Sequence, residues 1–88
     1  MRTIHKFPLS LVDKQIVEMP TDAKILSVQD QGGVLVLWAM LDPRHPKRPR
    51  EVTIIGTGHP VPEDLVEHSY VDTARLGPFV WHVFASRF

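Results

Sequence analysis

Short runs of alternating hydrophobic and polar residues, separated by proline and glycine, form the main pattern along this chain. Such runs are typical of β-strands, in which successive side chains point to opposite faces of a sheet. Prolines and glycines occupy the gaps between the runs, where turns are expected. The pattern predicts about six or seven short strands. The candidate segments are residues 3–7, 14–19, 23–29, 34–41, 51–57, 70–74 and 79–85.

The gaps also predict how neighbouring strands connect. The first two strands are expected to pair as an N-terminal hairpin. Gly32 and Gly33 tolerate the positive φ of a tight turn, which would join the third strand to residues 34–41. The last two strands are expected to form a closing hairpin around residues 75–78. In the stretch 60–69 a proline precedes two acidic residues, which is a helix-start signature and predicts a helical turn.

The segment Val34–Leu41 (VLVLWAML) is hydrophobic on both of its alternating faces. A strand of this kind must be covered on both sides. In a chain of 88 residues, a second layer of the same domain can cover one face, whereas the other face needs a further sheet or a second subunit. We therefore expect a homo-oligomer, most simply a two-fold dimer. The alternative is a fold that closes on itself and covers both faces.

Length and composition fit a single domain over residues 1–88. The expected fold class is all-β, or β-rich α+β, as a small antiparallel sandwich or a barrel-like meander. The lack of cysteine excludes disulfides, thiolate zinc sites and thiol catalysis. No secretory signal is recognised, and no stretch approaches the ~20 apolar residues that cross a bilayer. We expect a cytoplasmic protein that does not enter membranes.

Charge is balanced overall but unevenly distributed. Ten basic and ten acidic residues cancel, which argues against general nucleic-acid binding because such binding depends on phosphate neutralisation. Prolines at every third position of the stretch 42–50 exclude a central strand or a helix interior there. We expect a loop that is either solvated or bound to an anion. Its four cations are Arg44, Lys47, Arg48 and Arg50.

The stretch Gly56-Thr57-Gly58-His59 follows the core of the fifth predicted strand. Its glycines let the backbone turn sharply and let a ligand approach the backbone amides, which can form an anion-binding nest. The threonine adds a hydroxyl group, and the histidine ring can donate, accept or stack. The alternative is a glycine bulge at the end of a strand.

Metal, cofactor and catalytic signatures are weak. The five histidines form no His-Glu-x-x-His pair, and no serine lies in a Gly-x-Ser-x-Gly context. We predict no metal site, no cofactor and a protein that is not an enzyme, although an acid–base hydrolase that uses His59 or His82 stays open. Trp38 and Trp81 are core candidates that could also supply a stacking face for a base.

Five segments occur in an order and spacing that resemble a family of small phage and bacterial proteins known only as a domain of unknown function. These segments are IHKFPL, MPTDAKILSVQDQ, LWAMLD, GTGH and VWHVF. The resemblance covers nearly the whole chain. It implies a compact β-rich domain, often encoded in phage genomes, and it transfers no activity and no site residues. Several unrelated families of small oligomeric phage proteins sequester nucleotide signals of bacterial immunity, and this chain is similar to them in size and simplicity.

These observations together predict a non-enzymatic protein that binds and sequesters a small anionic molecule, such as a cyclic nucleotide or a nucleotide-derived immune signal. Its pockets are expected at or near a subunit interface, in the host cytoplasm if the protein is phage-encoded. The alternatives are a protein–protein interaction module that inhibits a host factor and a small metal-independent phosphodiesterase. The predicted ligand-binding residues are Gly56, Thr57, Gly58, His59, Arg44, Arg48, Arg50, Trp38 and Trp81.

Overall fold

The structure is a computed structural model that describes residues 1–87. Within this range the chain forms two antiparallel sheets, sheet A with the strand order β1-β4-β3 and sheet B with the order β2-β5-β7-β6. The predicted all-β sandwich is therefore confirmed. The strands are β1 Thr3–Pro8, β2 Lys14–Pro20, β3 Lys24–Gln31, β4 Val34–Leu41, β5 Lys47–Gly56, β6 His68–Leu76 and β7 Phe79–Ser86, and a 3₁₀ turn, η1, spans Glu63–Glu67.

Two of the predicted hairpins are present and one is not. Gly32 and Gly33, with φ values of 62° and 87°, connect β3 to β4, and Gly77, with φ 60°, lies between β6 and β7. The predicted N-terminal hairpin is wrong, because β1 pairs with β4 and β2 pairs with β5. After β1 the chain still follows sheet A, where the Leu9 N–H donates to the Leu35 carbonyl at 2.8 Å, before it crosses to sheet B. β1 and β2 thereby each pair with a strand that is more apolar than the other N-terminal strand.

The core lies between the two sheets and consists of alternate residues from their facing strands. Burial of these side chains provides most of the driving force for folding. Sheet A contributes one complete face of β4, and sheet B contributes alternate residues of β5 and β7. The main core residues are Leu35, Leu37, Ala39, Leu41, Val52, Ile54, Val83 and Ala85.

The proline-rich stretch 42–50 differs from its predicted loop conformation. Residues 42–46 do connect the two sheets, but Lys47–Arg50 form the first part of β5 and pair with β2, with Pro49 opposite Glu18. The pairing with β7 begins only at Val52. Pro49, which cannot donate a backbone hydrogen bond, thus lies where β5 has a neighbour on one side only, and proline is tolerated at such an edge.

The Asp72 carboxylate connects the adjacent edges of the two sheets. Its Oδ2 accepts hydrogen bonds from the Val28 backbone N–H at 3.1 Å and from Gln29 Nε2 at 3.0 Å. Asp72 lies on β6 of sheet B, and both donors lie on β3 of sheet A. Each of these strands has a register shift close to the contact, between Ile25 and Ser27 in β3 and between Tyr70 and Asp72 in β6. Such bulges bend a strand at a sheet edge.

The hydroxyl group of Thr53 makes a stability prediction possible. Thr53 is 1% exposed, and its Oγ1 has no hydrogen-bond partner among the described residues. Valine has nearly the same shape and removes the cost of burying an unpaired hydroxyl, which is about 1–3 kcal/mol. We expect Thr53→Val to raise the free energy of unfolding by about 1 kcal/mol, measured by urea denaturation.

Thr73→Val is the matched control, because the Thr73 hydroxyl lies 2.7 Å from the Tyr70 hydroxyl and 3.0 Å from His82 Nδ1. This variant should lower the free energy of unfolding by about 1 kcal/mol. A loss of stability in Thr53→Val would contradict the prediction and would indicate that a water molecule satisfies the Thr53 hydroxyl.

Candidate functional site

Three arginines line a single pocket at one end of the sandwich. The pocket has a volume of about 310 Å³ and contains Arg48 and Arg50 of β5 together with Arg87, which follows β7. We call it the arginine groove. Its other lining residues are Met19, Pro20, Thr21, Asp22 and Ala23, from the end of β2 and the turn into β3.

The two-residue period of β5 places Arg48 and Arg50 on the inner face of sheet B, at one end of the sandwich. Side chains two residues apart share a face of a strand, so Arg48 and Arg50 lie on the same face of β5 as the core residues Val52 and Ile54. The basic side chains continue the core face beyond the point where hydrophobic residues fill it. They therefore face the turn between β2 and β3 and not the outer surface of sheet B.

Arg50 is the most constrained of the three. Its Nε donates to the Ser86 carbonyl at 3.0 Å and its Nη1 to the Ala23 carbonyl at 3.1 Å. Burial lowers the pKa of the Arg50 guanidinium, but an arginine remains charged at neutral pH. Among residues 1–87 no carboxylate forms an ion pair with it. Arg50 is thus a partly buried cation whose position is fixed by neutral acceptors.

The remaining charges of the groove are unequal in number. Arg48 is exposed and makes no hydrogen bond to a described side chain, and Arg87 donates from Nε to Ser69 Oγ at 3.2 Å. Asp22 is the one carboxylate among the lining residues, so three guanidinium groups face a single negative charge. An adjoining pocket of about 330 Å³ shares Arg50 and Arg87 with the groove and adds Lys24. The site is therefore suited to an anion.

The predicted Gly56–His59 site lies at the opposite end of β5. Gly56 follows Arg50 by six positions, which corresponds to about 20 Å along an extended strand. The predicted ligand residues of the proline-rich stretch and of the glycine turn therefore do not meet in one pocket. A Cβ atom on Gly56 would lie 3.1 Å from His59 Cε1 and 3.1 Å from Trp81 Cζ3. The absence of a side chain at Gly56 lets these two rings pack closely over the strand end.

The backbone amides of this glycine turn are largely engaged within the fold. The Thr57 N–H donates to the Val80 carbonyl at 3.2 Å, and the His59 N–H donates to the Gly56 carbonyl at 3.0 Å. Gly58 has a φ of 89°. Two of the amides that were expected to form an anion-binding nest are therefore already hydrogen-bonded.

A larger pocket of about 500 Å³ borders the same turn. Half of its lining residues are prolines and isoleucines, and the other half are the polar residues His59, Asp13, Lys14 and Thr53. Lys14 forms an ion pair with Asp64 at 2.6 Å. The hydrogen bond between them raises the pKa of Lys14 and lowers the pKa of Asp64. The one lysine of this pocket is thus already compensated, and Asp13 adds a negative charge.

A chain of hydrogen bonds joins four side chains on the outer face of sheet B. His82 Nε2 lies 2.7 Å from Thr57 Oγ1, and its Nδ1 lies 3.0 Å from Thr73 Oγ1. The Tyr70 hydroxyl lies 2.7 Å from Thr73 Oγ1, and the Tyr70 ring contacts Phe84 edge-on at a centroid distance of 5.7 Å. The chain fixes the Thr57 turn to β7 and β6. It contains no carboxylate that could raise the basicity of the imidazole.

The other predicted site residues lie apart from both pockets. Trp38 lies on β4 of sheet A, opposite Lys6 and Ser27. Trp81 packs against the edge of the core, beside Gly56. Arg44 binds Asp42 through two hydrogen bonds, from Nε at 3.0 Å and from Nη2 at 2.8 Å.

Comparison with known proteins identifies a family but not an activity. One family model, described as a domain of unknown function (DUF7352), matches residues 1–88. The chain belongs to DUF7352. The predicted resemblance to a domain of unknown function is thereby confirmed, and the phage origin stays a prediction. No curated protein and no solved structure gives a significant match to this DUF7352 chain.

The described part of the DUF7352 chain has neither a helix that could span a membrane nor a cluster of metal-ligating side chains. No helix in residues 1–87 is long and apolar enough to cross a membrane. No group of three or more histidine, cysteine or acidic side chains in that range is arranged to hold a metal ion.

Sequence reasoning missed Arg87 and the true setting of Arg48 and Arg50 in the DUF7352 chain. Arg87 is separated from Arg50 by 37 positions and becomes its neighbour only through the antiparallel pairing of β5 with β7. One signal was available. The alternation that places Val52 and Ile54 in the core extends towards the N-terminus past Pro49, and it places Arg48 and Arg50 on the same face of the strand.

The Asp42–Arg44 pair of the DUF7352 chain gives a pH-dependent prediction. The side-chain hydrogen bond from Arg44 holds the pKa of the Asp42 carboxyl well below its ordinary value. We expect Arg44→Gln to raise the pKa of Asp42 towards about 3.9, the value of an unperturbed aspartate. The measurement is an NMR titration of the Asp42 carboxyl carbon.

The sign of the stability effect follows from linkage. A carboxyl group with a depressed pKa in the folded state stabilises the fold above its unfolded pKa, and that stabilisation is lost as the pH falls. Arg44→Gln should therefore lose less stability than the wild type on acidification below about pH 4. Arg48→Gln is the control and should not move the Asp42 titration. An unchanged Asp42 pKa in Arg44→Gln would contradict the assignment.

Proposed function

We propose that this DUF7352 protein is a non-enzymatic binding protein that holds a small anionic molecule in the arginine groove. The observation that carries the proposal is Arg50, a partly buried guanidinium fixed by the Ser86 and Ala23 carbonyls and flanked by Arg48 and Arg87. A buried charge without a compensating partner is costly. An anion in the groove would provide that compensation and would form charge-assisted hydrogen bonds, which are the stronger kind.

The electrostatics favour this end of the sandwich over the pocket near His59. In the larger pocket the lysine is neutralised by Asp64, and Asp13 would repel an anion. The arginine groove has an excess of positive charge and donors arranged as planar forks, which suit phosphate oxygens. The binding of a nucleotide-derived molecule through Gly56–His59 stays a prediction for a separate surface.

Sequestration is the role that we propose for such binding. The groove contains three arginines that can hold an anion, and Asp22 is its one described lining residue with a carboxylate or imidazole side chain. The size of the chain and its resemblance to small phage proteins support a nucleotide-derived ligand, such as an immune signal. In that setting the protein acts in the host cytoplasm by lowering the free concentration of the ligand.

Thermal-shift and calorimetric measurements test the binding proposal. The probes are inorganic pyrophosphate, ADP-ribose, cyclic mononucleotides and cyclic dinucleotides. A ligand at 100 times its dissociation constant should stabilise the fold by about 2.7 kcal/mol. We expect Arg48→Gln and Arg87→Gln each to weaken binding about tenfold at low salt, because each removes charge-assisted hydrogen bonds of about 1.5–3 kcal/mol. The effect should shrink at high salt.

Arg75→Gln is the matched control, because Arg75 lies at the other end of β6, opposite Val80, and its removal changes the net charge equally. Unchanged affinity in both groove variants would contradict the proposal. The product of each incubation is analysed as well. Turnover that is lost in His82→Gln would instead support the phosphodiesterase alternative, in which the imidazole hydrogen-bonded to Thr57 is the base.

We also propose that the outer face of sheet A forms a homodimer. Sheet B covers the inner face of β4, but the outer face of sheet A contains exposed apolar residues, including Ile4 at 56% and Leu26 at 42% exposure. Trp38 lies between them on β4, half-buried, and Met40 adjoins it. Exposed apolar side chains grouped on one sheet face are typical of an interaction site, and on this face Lys6 lies beside Trp38 and donates from Nζ to Gln31 Oε1 at 3.1 Å.

Light scattering tests the dimer at micromolar concentration. We expect a mass of twice 10 kDa for the wild type and a monomer for Leu26→Lys, because a lysine in the centre of an apolar interface is costly to desolvate. Val61→Lys is the control, since Val61 is also apolar and exposed, at 62%, but lies in the connection between β5 and β6. A monomeric wild type would refute the proposal.

A further inference from the structure

We infer that the ligand of the arginine groove carries a terminal phosphate, the dianion of a phosphomonoester or pyrophosphate, and not the singly charged diester of a cyclic nucleotide. The inference rests on the proposed function and specifies its ligand class. It follows from three features of the groove, which are the number of uncommitted donors, the charge that faces them and the fixed orientation of Arg50.

The donors of the groove exceed what a phosphodiester can accept. A guanidinium group has five N–H bonds. Arg50 donates from Nε to the Ser86 carbonyl, and from Nη1 to the Ala23 carbonyl and to Met19 Sδ at 3.9 Å, which leaves Nη2 without a partner among the described residues. Arg87 uses its Nε on Ser69 Oγ, and the fork of Arg48 is uncommitted within residues 1–87. The forks of Arg48 and Arg87 and the Nη2 group of Arg50 thus line the same pocket.

The acceptor that matches the guanidinium groups of three arginines is a group with three terminal oxygens. A phosphomonoester presents three strong acceptor oxygens and a charge of about −1.5 to −2 at pH 7. A cyclic diester has only two unesterified oxygens and a single charge. A carboxylate likewise has two oxygens, which one bidentate arginine can satisfy. Only the terminal phosphate offers an oxygen for each guanidinium group.

The charge of the groove leads to the same class of ligand. Among the described residues that line the groove, three arginines accompany the single carboxylate of Asp22, which leaves an excess of two positive charges. A dianion compensates this excess, whereas a monoanion leaves one cation in a partly buried pocket without a counter-charge. Because electrostatic interactions strengthen as water is excluded, the difference between the two ligands is largest beside Arg50.

The shape of the site leaves room for the organic part of such a ligand. The groove of about 310 Å³ and the adjoining pocket of about 330 Å³ share the lining residues Ala23, Arg50 and Arg87. A phosphate held against the fixed Nη2 edge of Arg50 would direct its ester substituent towards Lys24 and Ser69. The two pockets together suit a small phosphorylated metabolite such as a nucleoside monophosphate.

A comparison of AMP, 3′,5′-cyclic AMP and adenosine tests the inference, because the three molecules share base and ribose and differ in the phosphate. Titration calorimetry is done at pH 8 and low salt, where the monoester is fully dianionic because its second pKa is about 6. We expect AMP to bind at least tenfold more tightly than cyclic AMP, and adenosine not to bind. Methyl phosphate and dimethyl phosphate repeat the comparison without the nucleoside.

Variants connect the preference to the groove. Arg87→Gln and Arg48→Gln should each reduce the ratio of the monoester to diester affinities, because each removes one of the two excess positive charges that favour a dianion over a monoanion. Arg75→Gln should leave the ratio unchanged. Equal or tighter binding of the diester in both ligand pairs would overturn the inference but leave anion binding intact. A wild type that binds none of these phosphates and also fails to bind pyrophosphate, ADP-ribose and cyclic dinucleotides would overturn the proposed function itself.

Discussion

The two-residue period of β5 is the constraint on which both the core and the candidate site depend. Alternate residues of β5 lie on the same face of this strand, namely Arg48, Arg50, Val52, Ile54 and Gly56. The middle pair is buried between the sheets, while the ends project beyond the filled part of the sandwich. A register slip of one residue would turn the whole set over. The hydrophobic core therefore fixes the inward orientation of the arginines.

Most of the fold follows from local pattern. The seven strands lie close to their predicted positions because alternation and turn residues are local signals, and the hairpins at Gly32 and Gly77 follow from the positive φ that glycine accepts. The pairing of β1 with β4 and of β2 with β5 was not predictable in this way. β1 and β2 are both amphipathic, and their partners are decided by burial across the whole sandwich.

The proline-rich stretch shows where a local rule misleads. Proline is excluded from a strand that is paired on both sides, and for that reason residues 47–50 were expected to form a loop. The rule holds, but its premise does not apply, because β5 is paired only with β2 at Pro49. The candidate site was consequently predicted in part. Arg48 and Arg50 were recognised by charge, whereas the contribution of Arg87 depends on strand pairing that only the folded structure reveals.

The contact between β3 and β6 has a consequence for how the molecule moves. Asp72 joins the two sheets along one long edge, and Arg50 adds a second connection there by donating to the Ala23 carbonyl just before β3. At the opposite edges β1 and β2 each pair with a single neighbour. The two sheets are therefore joined by hydrogen bonds along the edge that β3 and β6 form. The arginine groove lies at one end of this edge. A ligand bound there would stabilise the closed arrangement of the two sheets as well as fill a pocket. Ligand binding and local opening of the sheets would therefore be thermodynamically linked.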